Sequence, residues 1–223
     1  MRILVVEQQA DAPAGLVGEW ASERGARVDV VRAPELDEWP DPRAADAIVT
    51  LGSDRSVHAS ADPWIAAQLA FLRAAHDAEV PILGICFGGQ ALSLALGGDV
   101  HPTPSLEGSW DDGIELLDEQ IPAGPWLNLH FESFSLPPGA ELLARTPAGP
   151  SAFRHGPHLG TQFHPEVTPE IVAAWSERYR PAHPEVDYER LARDGEANRA
   201  AAPARAFELF DRWWERLPEA RRI

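Results

Sequence analysis

The stretch VPILGICFGGQALSLALGG, residues 80–98, constrains the fold more than any other part of the chain. Its first six residues are an apolar run typical of a buried strand, and residues 88–98 form a helix candidate closed by glycines. The first hundred residues repeat this alternation, with further apolar runs at 2–7, 27–32 and 45–52 and helix candidates at 13–24 and 62–77. Strands that are apolar on both faces and alternate with helices are typical of parallel sheets. The sequence therefore predicts an α/β fold with a doubly wound, mostly parallel sheet flanked by helices.

The remainder of the chain is expected to complete this domain and to extend it. Residues 99–165 contain short strand-like pieces, which indicate extended segments added to the sheet or returning to it. Further helices are expected at about 185–194 and 203–217. One stripe of the last helix carries Phe207, Phe210, Trp214 and Leu217, a pattern that predicts packing against the domain. We therefore expect one domain over residues 1–180 and a helical C-terminal extension, 181–223, packed on the same domain.

Two helix starts carry capping signals. Asp62 precedes Pro63, and Thr168 precedes Pro169. Asp and Thr are favoured at the N-cap, and proline is favoured as the first helical residue. The sequence therefore predicts that helices begin directly after Asp62 and Thr168.

The chain is strongly acidic and contains no lysine. Its formal net charge is −16, and all 19 of its Lys and Arg residues are arginine. This charge repels phosphate backbones and anionic lipid, so neither nucleic acid nor a membrane is expected as a partner. No apolar stretch is long enough to span a bilayer, and MRILVVEQQA fits a first strand better than a signal peptide. The single cysteine, Cys86, cannot form an internal disulfide, which fits a cytoplasmic location.

Cys86 falls between the strand at 80–85 and the helix at 88–98, with Gly84 and Gly88 two residues away on either side. In a parallel sheet, ligands bind at the carboxyl ends of the strands. A tight strand-to-helix turn there exposes a nucleophile, and glycines allow such a turn. The helix N-terminus favours a thiolate and offers free N–H groups to an oxyanion. Cys86 is therefore a candidate nucleophile, and the alternative is a small buried cysteine.

A nucleophilic thiol needs a base that can also protonate the leaving group. His164 is the candidate, because it ends the extended segment HLGTQF and is followed by Pro165 and Glu166. A carboxylate two residues away can accept a hydrogen bond from one imidazole nitrogen while the other nitrogen faces the thiol. Cys86, His164 and Glu166 together indicate a cysteine–histidine–carboxylate triad.

Three segments together resemble the type 1, or triad, glutamine amidotransferases. They are GICFGGQ at 84–90, HFESFSLPPGA at 130–140 and QFHPE at 162–166. The resemblance covers roughly residues 1–180 and points to a stand-alone group that is similar to the amidotransferase domain of GMP synthase. It implies the flavodoxin-like fold of the class I glutamine amidotransferases, glutamine or a γ-glutamyl compound as substrate, and no cofactor.

The resemblance also implies roles for individual residues. Cys86 attacks the side-chain amide of glutamine, His164 acts as base and then as acid for ammonia, and Glu166 orients His164. Water then hydrolyses the thioester formed on Cys86. The backbone N–H groups of Gly52 and Phe87 should form the oxyanion hole. Substrate contacts are expected from Gly88, Gln90, His130 and Glu132. Gln90 could instead cap the helix, and His130 and Glu132 could be structural.

Three positions depart from the family pattern. Ser53 follows Gly52 where many relatives have a second glycine, and Glu132 replaces the commoner Asp. Gly89 stands where many relatives carry His or Met, and the missing side chain should widen the pocket near the nucleophile. None of these departures removes a group of the triad.

The other histidines are expected to be structural. His58, His76, His101 and His183 are assigned to surface or loop positions, and His155 and His158 to a turn around Gly156-Pro157. No His/Cys spacing typical of a zinc site occurs, so no metal is expected. The sequence also contains no glycine-rich phosphate-binding motif, so no nucleotide cofactor is expected.

Three functions remain open on the sequence. The chain is either a glutaminase that passes ammonia to a separate synthetase subunit, a hydrolase of other γ-glutamyl amides or peptides, or a binding module without turnover. Gly89 and the lack of a recognisable synthetase domain favour the second function. The complete set of Cys86, His164 and Glu166 argues against the third.

Overall fold

A computed structural model describes residues 1–111 and 113–217. The strands are β1 (Arg2–Glu7), β2 (Arg27–Arg32), β3 (Ala47–Thr50), β4 (Ile82–Ile85), β5 (Val100–Asp111), β6 (Glu115–Leu116), β7 (Trp126–Phe134), β8 (Glu141–Thr146), β9 (Gly149–His155) and β10 (His158–Thr161). The α-helices are α1 (Gly15–Glu23), α2 (Pro63–Asp77), α3 (Phe87–Ala95), α4 (Pro169–Tyr179), α5 (Tyr188–Asn198) and α6 (Ala202–Glu215). The alternation of strands and helices predicted for the first hundred residues is confirmed.

Eight strands form one sheet in the order β2-β1-β3-β4-β10-β9-β8-β6. The strands from β2 to β10 run parallel to their neighbours. From β10 to β6 the neighbours are antiparallel, and β5 and β7 pair separately as an antiparallel ribbon. The prediction of a doubly wound, mostly parallel sheet is confirmed, and the segments between 99 and 165 supply the antiparallel additions.

Alternate residues of the parallel strands point to opposite faces of the sheet, and each face forms its own apolar cluster. Helices cover both of these clusters. One cluster packs beneath α1 and α6 around Trp20, Phe210 and Trp213. The other packs beneath α2 and α3 around Phe71 and Leu92. Full burial of each such side chain contributes roughly 1.5–3 kcal/mol. The helices that follow the parallel strands begin at the carboxyl-terminal edge of the sheet.

The C-terminal helices join these clusters. The buried residues of α6 are Ala202, Ala206, Leu209, Phe210 and Trp213. Packing of the predicted stripe is confirmed for all four residues: Phe210 and Leu217 are buried in the cluster, and Phe207 and Trp214 pack against it and are partly buried. A division of the chain at residue 180 stays a prediction, and residues 218–223 of the predicted extension lie outside the described residues.

The helix starts follow the capping predictions in part. Thr168 Oγ1 accepts a hydrogen bond from Ile171 N–H at the start of α4. Asp62 occupies the N-cap position of α2, but its side chain makes no capping hydrogen bond and lies 3.6 Å from Arg55 instead. Among the helices of the described residues, none combines the length and the apolar character needed to cross a bilayer.

Candidate active site

Cys86 forms a one-residue turn between β4 and α3. Its φ of 53° and ψ of −111° lie in a left-handed region, and a residue with a Cβ adopts such a conformation at a cost of about 1–3 kcal/mol. Cys86 N–H donates to Thr161 O at 2.8 Å, and Cys86 O accepts from Gln90 N–H at 2.9 Å. The neighbouring strand and the helix therefore hold the turn at the carboxyl end of the parallel sheet.

The glycines of this turn pack directly against backbone. A Cβ on Gly84 would lie 2.5 Å from Gly88 O, and a Cβ on Gly88 would collide with Thr50 O. Gly88 N–H also donates to Leu51 O at 3.0 Å. Gly88 therefore joins α3 to the end of β3, and the structure does not bring it to the pocket that Cys86 lines.

The expectation for Gly89 was wrong. A Cβ on Gly89 would lie 2.5 Å from Thr161 O and 3.3 Å from Gly84 O. The position therefore faces β10 instead of the pocket. The missing side chain allows close helix–strand packing and does not widen the space beside Cys86.

His164 lies just beyond β10 and is bound to Glu166. His164 Nδ1 donates to Glu166 Oε1 at 2.8 Å, and both side chains are almost fully buried. His164 N–H donates to Leu127 O at 2.8 Å. The Trp175 ring packs edge-on against the imidazole, with 4.9 Å between ring centroids. These contacts fix the orientation of the ring. Nδ1 is bound to Glu166, and Nε2 is the nitrogen that remains for the reaction.

The Glu166 backbone is held by the start of α1, which the sequence analysis did not identify. Leu16 N–H donates to Glu166 O at 2.8 Å. Gly15 has a φ of 47°, and a Cβ there would collide with the same oxygen. The close approach of α1 therefore requires glycine at residue 15.

The charge state of His164 follows from its buried partners. Burial lowers the pKa of His164, but the electrostatic effects of the neighbouring Glu166 and Cys86 side chains outweigh burial and raise the pKa to about 10. The imidazole is therefore protonated at neutral pH and forms a buried ion pair with Glu166. Such a group can supply a proton to a departing amine.

Gln162 is a further polar neighbour of Cys86 that the sequence analysis missed. Its Nε2 lies 3.6 Å from Cys86 Sγ, and its Oε1 accepts from Gln90 Nε2 at 3.3 Å. Gln90 Nε2 also donates to Glu132 O at 2.9 Å, so the Gln90 side chain does not cap α3. Alternate residues of an extended segment share one face. The spacing of Gln162 and His164 is the signal that could have identified it.

Two backbone N–H groups near Cys86 are available as donors. A Cβ on Gly52 would lie 3.2 Å from His164 Cε1 and 3.9 Å from Cys86 Cβ, so Gly52 borders both residues. Phe87 N–H is the first of α3 and follows Cys86 directly. Within residues 1–111 and 113–217, neither N–H donates to a protein acceptor. Their positions suit donors to a developing oxyanion.

A pocket of about 350 Å³ opens above Cys86. We call its lining by Gly52, Cys86, Gln90 and His164 the inner half, and its lining by Phe131, His183 and Tyr188 the outer half. The lining also includes Ser53–Ser56, Trp175 and Tyr179. His183 also lines the pocket, and it lies in the loop between α4 and α5, as the sequence predicts. Its ring centroid lies 4.3 Å from that of Phe131.

His130 and Glu132 also line the pocket, but their polar groups are bound to protein. His130 Nε2 lies 2.9 Å from Glu107 Oε2, and its Nδ1 lies 3.1 Å from Glu132 O. Ser56 Oγ donates to Glu132 Oε1 at 2.9 Å. Burial raises the pKa of Glu107, but hydrogen bonds to His130 and Thr146 and the charge of His130 lower it below its usual value. This network stiffens the pocket wall.

Three histidines assigned to surface and turn positions form a cluster away from this pocket. One ring nitrogen each of His76, His155 and His158 lies within 4.8 Å of the others. Ile82 N–H donates to His158 Nδ1, so the proton of His158 is on Nε2, which lies 2.9 Å from His76 Nδ1. Burial and the charges of His76 and His155 lower the pKa of His158 to about 3. His158 Nε2 is therefore a hydrogen-bond donor and not a free lone pair for a metal.

Comparison with known families and curated proteins gives a consistent result. A family model described as glutamine amidotransferase class-I matches residues 18–172. A curated GMP synthase (glutamine-hydrolyzing) from Aeropyrum pernix is 34% identical over 166 residues, which cover 69% of this chain and 31% of that protein. The chain thus spans less than a third of the length of such curated relatives.

Two solved structures share the fold over nearly the whole chain. A glutamine amido transferase from Methylobacillus flagellatus superposes with a TM-score of 0.86, at 24% identity, over 97% of this chain and 95% of that one. A glutamine amidotransferase from Thermotoga maritima superposes with a TM-score of 0.85, at 21% identity, over 96% of this chain and 97% of that one. At these identities the likeness shows the fold.

Proposed function

Because the chain belongs to the class I glutamine amidotransferase family, we propose that it hydrolyses the side-chain amide of glutamine through a thioester on Cys86. The observation that supports this most is the meeting of two features at one pocket. Cys86 is presented by a strained turn, and the buried ion pair of His164 and Glu166 lies against it. A solely structural cysteine needs neither the strain nor the buried charges.

In the proposed reaction, the Cys86 thiolate attacks the γ-carbonyl carbon of glutamine and an electron pair moves to the carbonyl oxygen. The His164 imidazolium gives its proton to the amide nitrogen, and the carbon–nitrogen bond breaks to release ammonia. The glutamyl group then remains bound to Cys86 Sγ as a thioester. The neutral His164 takes a proton from water, the water oxygen attacks the thioester carbonyl, and glutamate leaves as the thiolate re-forms.

The surrounding groups have supporting roles in this scheme. The N–H groups of Gly52 and Phe87 donate to the oxyanion of each tetrahedral intermediate. Such hydrogen bonds usually make the largest single contribution to the rate of acyl transfer. Glu166 keeps His164 protonated before the attack. Gln162 and Gln90 are proposed to hold the Cys86 side chain and the glutamyl group in register, since their amides contact each other and Gln162 contacts the sulfur.

A second candidate function is hydrolysis of other γ-glutamyl amides. The observation that favours it is that the pocket beside Cys86 is also lined by the ring-bearing side chains of the outer half. The same chemistry serves both functions, because the attacked glutamyl group is the same. Only the departing amine differs, and ammonia needs no subsite of its own.

For the first candidate we propose a separate synthetase subunit as the partner that receives ammonia. Support comes from the curated relative named a GMP synthase, of which the matched region is only 31%. We propose the cytoplasm as the location, because a nucleophilic thiol is active only while it is reduced.

Release of ammonia and glutamate from glutamine tests the proposal. Cys86→Ala should lower kcat by at least about 10⁴-fold while the far-ultraviolet spectrum stays unchanged. His164→Ala should prevent or severely slow formation of the thioester. Full activity of either variant contradicts the proposed roles. A folded wild-type chain that hydrolyses neither glutamine nor any γ-glutamyl amide would support the binding module instead.

A further inference from the structure

Tyr188 carries a buried hydroxyl that has no hydrogen-bond partner among the described residues. The side chain is 2% exposed and belongs to the lining of the pocket. Leaving a buried donor unpaired costs roughly 1–3 kcal/mol, so such groups in native structures call for an explanation. Burial, followed by the charge of Glu185, raises the pKa of Tyr188, so the hydroxyl keeps its proton and remains a donor.

The position of Tyr188 is fixed by the start of α5. Asp187 is the N-cap of this helix and accepts a hydrogen bond from Arg190 N–H at 2.9 Å. The Tyr188 side chain packs in a cluster with Trp175 and Leu191. The unpaired hydroxyl therefore belongs to a side chain that is packed at a capped helix start.

The second tyrosine of the chain provides a contrast. Tyr179 also lines the pocket, but its hydroxyl accepts a hydrogen bond from Gln9 Nε2. The two tyrosines thus share one pocket and differ in whether the protein satisfies the hydroxyl. Of the two hydroxyls, that of Tyr188 is the one that makes no hydrogen bond to the described protein.

The outer half has the character of a subsite for an organic group. Its three side chains all carry rings, and Phe131 is 40% exposed. Two of them, His183 and Tyr188, lie beyond residues 18–172, the part matched by the family model. The pocket volume of about 350 Å³ lies within the range of about 300–1,000 Å³ that is typical of small-molecule sites.

We propose that the outer half binds the amine leaving group of a γ-glutamyl amide, and that the Tyr188 hydroxyl donates a hydrogen bond to an acceptor oxygen on that group. The inference rests on the proposed hydrolysis through Cys86. After the attack, the amine takes the His164 proton and leaves from the outer half, and water then releases glutamate. Tyr188 is the residue that selects amines carrying an oxygen.

Three substrates separate this proposal from the proposed function. L-Glutamine has no organic leaving group, γ-glutamylethylamide has one without an oxygen, and γ-glutamylglycine has one with a carboxylate. The wild type should give a higher kcat/KM for γ-glutamylglycine than for γ-glutamylethylamide. Tyr188→Phe should lower the ratio of these two values roughly three- to tenfold if one neutral hydrogen bond is lost, and more if the acceptor is charged.

Tyr179→Phe is the matched control, because it also removes a tyrosine hydroxyl, but one that already accepts a hydrogen bond from Gln9. It should lower the melting temperature by roughly 2–4 °C and leave the substrate ratio within about twofold. Tyr188→Phe should keep or raise the melting temperature, because it removes an unsatisfied buried group. Improved stability together with lost selectivity is a combination that a structural role of Tyr188 does not produce.

Each other outcome overturns part of the account. If Tyr188→Phe leaves the ratio unchanged, or lowers kcat/KM equally for all three substrates, Tyr188 does not contact the leaving group. If the wild type hydrolyses glutamine but neither γ-glutamyl conjugate, the outer half is not a leaving-group subsite and the proposed function stands. If it hydrolyses none of the three, the proposed function itself fails.

Discussion

The inner and outer halves of the pocket are built in different ways. The inner half is fixed by backbone, since Cys86 is bound to Thr161 and Gln90 through main-chain hydrogen bonds and Gly88 admits no side chain. The outer half is made of side chains on β7, on the segment after α4 and on α5. Contacts made by the backbone are altered only by mutations that alter the fold. A contact made by a side chain is altered by a single substitution at that residue. Under the proposed function, different residues therefore serve the chemistry and the choice of leaving group.

The largest expected difference between the two halves is in how strongly a substitution lowers the rate of glutamine hydrolysis. Glu166→Gln keeps the shape of the inner half but removes the charge that holds His164 protonated, so kcat with glutamine should fall roughly 10²–10⁴-fold. Phe131→Ala in the outer half should cost at most about tenfold. Steady-state release of glutamate measures both. Equal losses in the two variants would contradict the division of roles.

The next effect is on stability. Gly88→Ala places a methyl group against Thr50 O and should lower the free energy of unfolding by about 3 kcal/mol or more. Gly25→Ala is the control, because Gly25 has a φ of 64° but nothing within 4 Å of the added Cβ; it should cost only about 1 kcal/mol. Urea unfolding compares them, and similar costs would mean that the turn at Cys86 is not sterically fixed.

The smallest effect is a change in the pKa of His164. With a pKa raised to about 10, the imidazole should stay protonated as the pH rises through neutrality. Loss of the negative charge in Glu166→Gln removes a stabiliser of the protonated ring, so the pKa should move down. Nitrogen chemical shifts of the His164 ring, followed by NMR against pH, measure both values. A ring that loses its proton near pH 6.5 in the wild type would contradict the buried ion pair.

Two parts of the inner half could be predicted from the sequence because each part is local, although their meeting depends on the fold. A strand, a glycine-flanked cysteine and a helix define the turn at Cys86 within a few residues. His164 and Glu166 are likewise two residues apart on one extended segment. The direction in which an absent Cβ would point is not local, and for this reason the expectation for Gly89 was wrong: its neighbour is Thr161 on a strand far along the chain.

The outer half could not be predicted, because its residues meet only through tertiary packing. Phe131 and His183 lie on separate elements, and no short-range pattern relates them. The same holds for His76 and His158, which come together because β10 pairs with β4 beside α2. Residues that the chain brings together over long separations carry no periodicity, so neither their contacts nor an orphan such as the Tyr188 hydroxyl is visible in the sequence.

The most direct test of the central claim is the intact mass of the protein after incubation with a diazoketone analogue of glutamine, with Cys86→Ala in parallel. We predict one adduct on the wild type, none on the variant, and protection by excess glutamine. This result would demonstrate a formed pocket that recognises a glutamyl group beside a reactive Cys86. A folded wild-type chain that takes no adduct, or an equal adduct on Cys86→Ala, would contradict the claim that Cys86 is the nucleophile of a glutamyl-specific site.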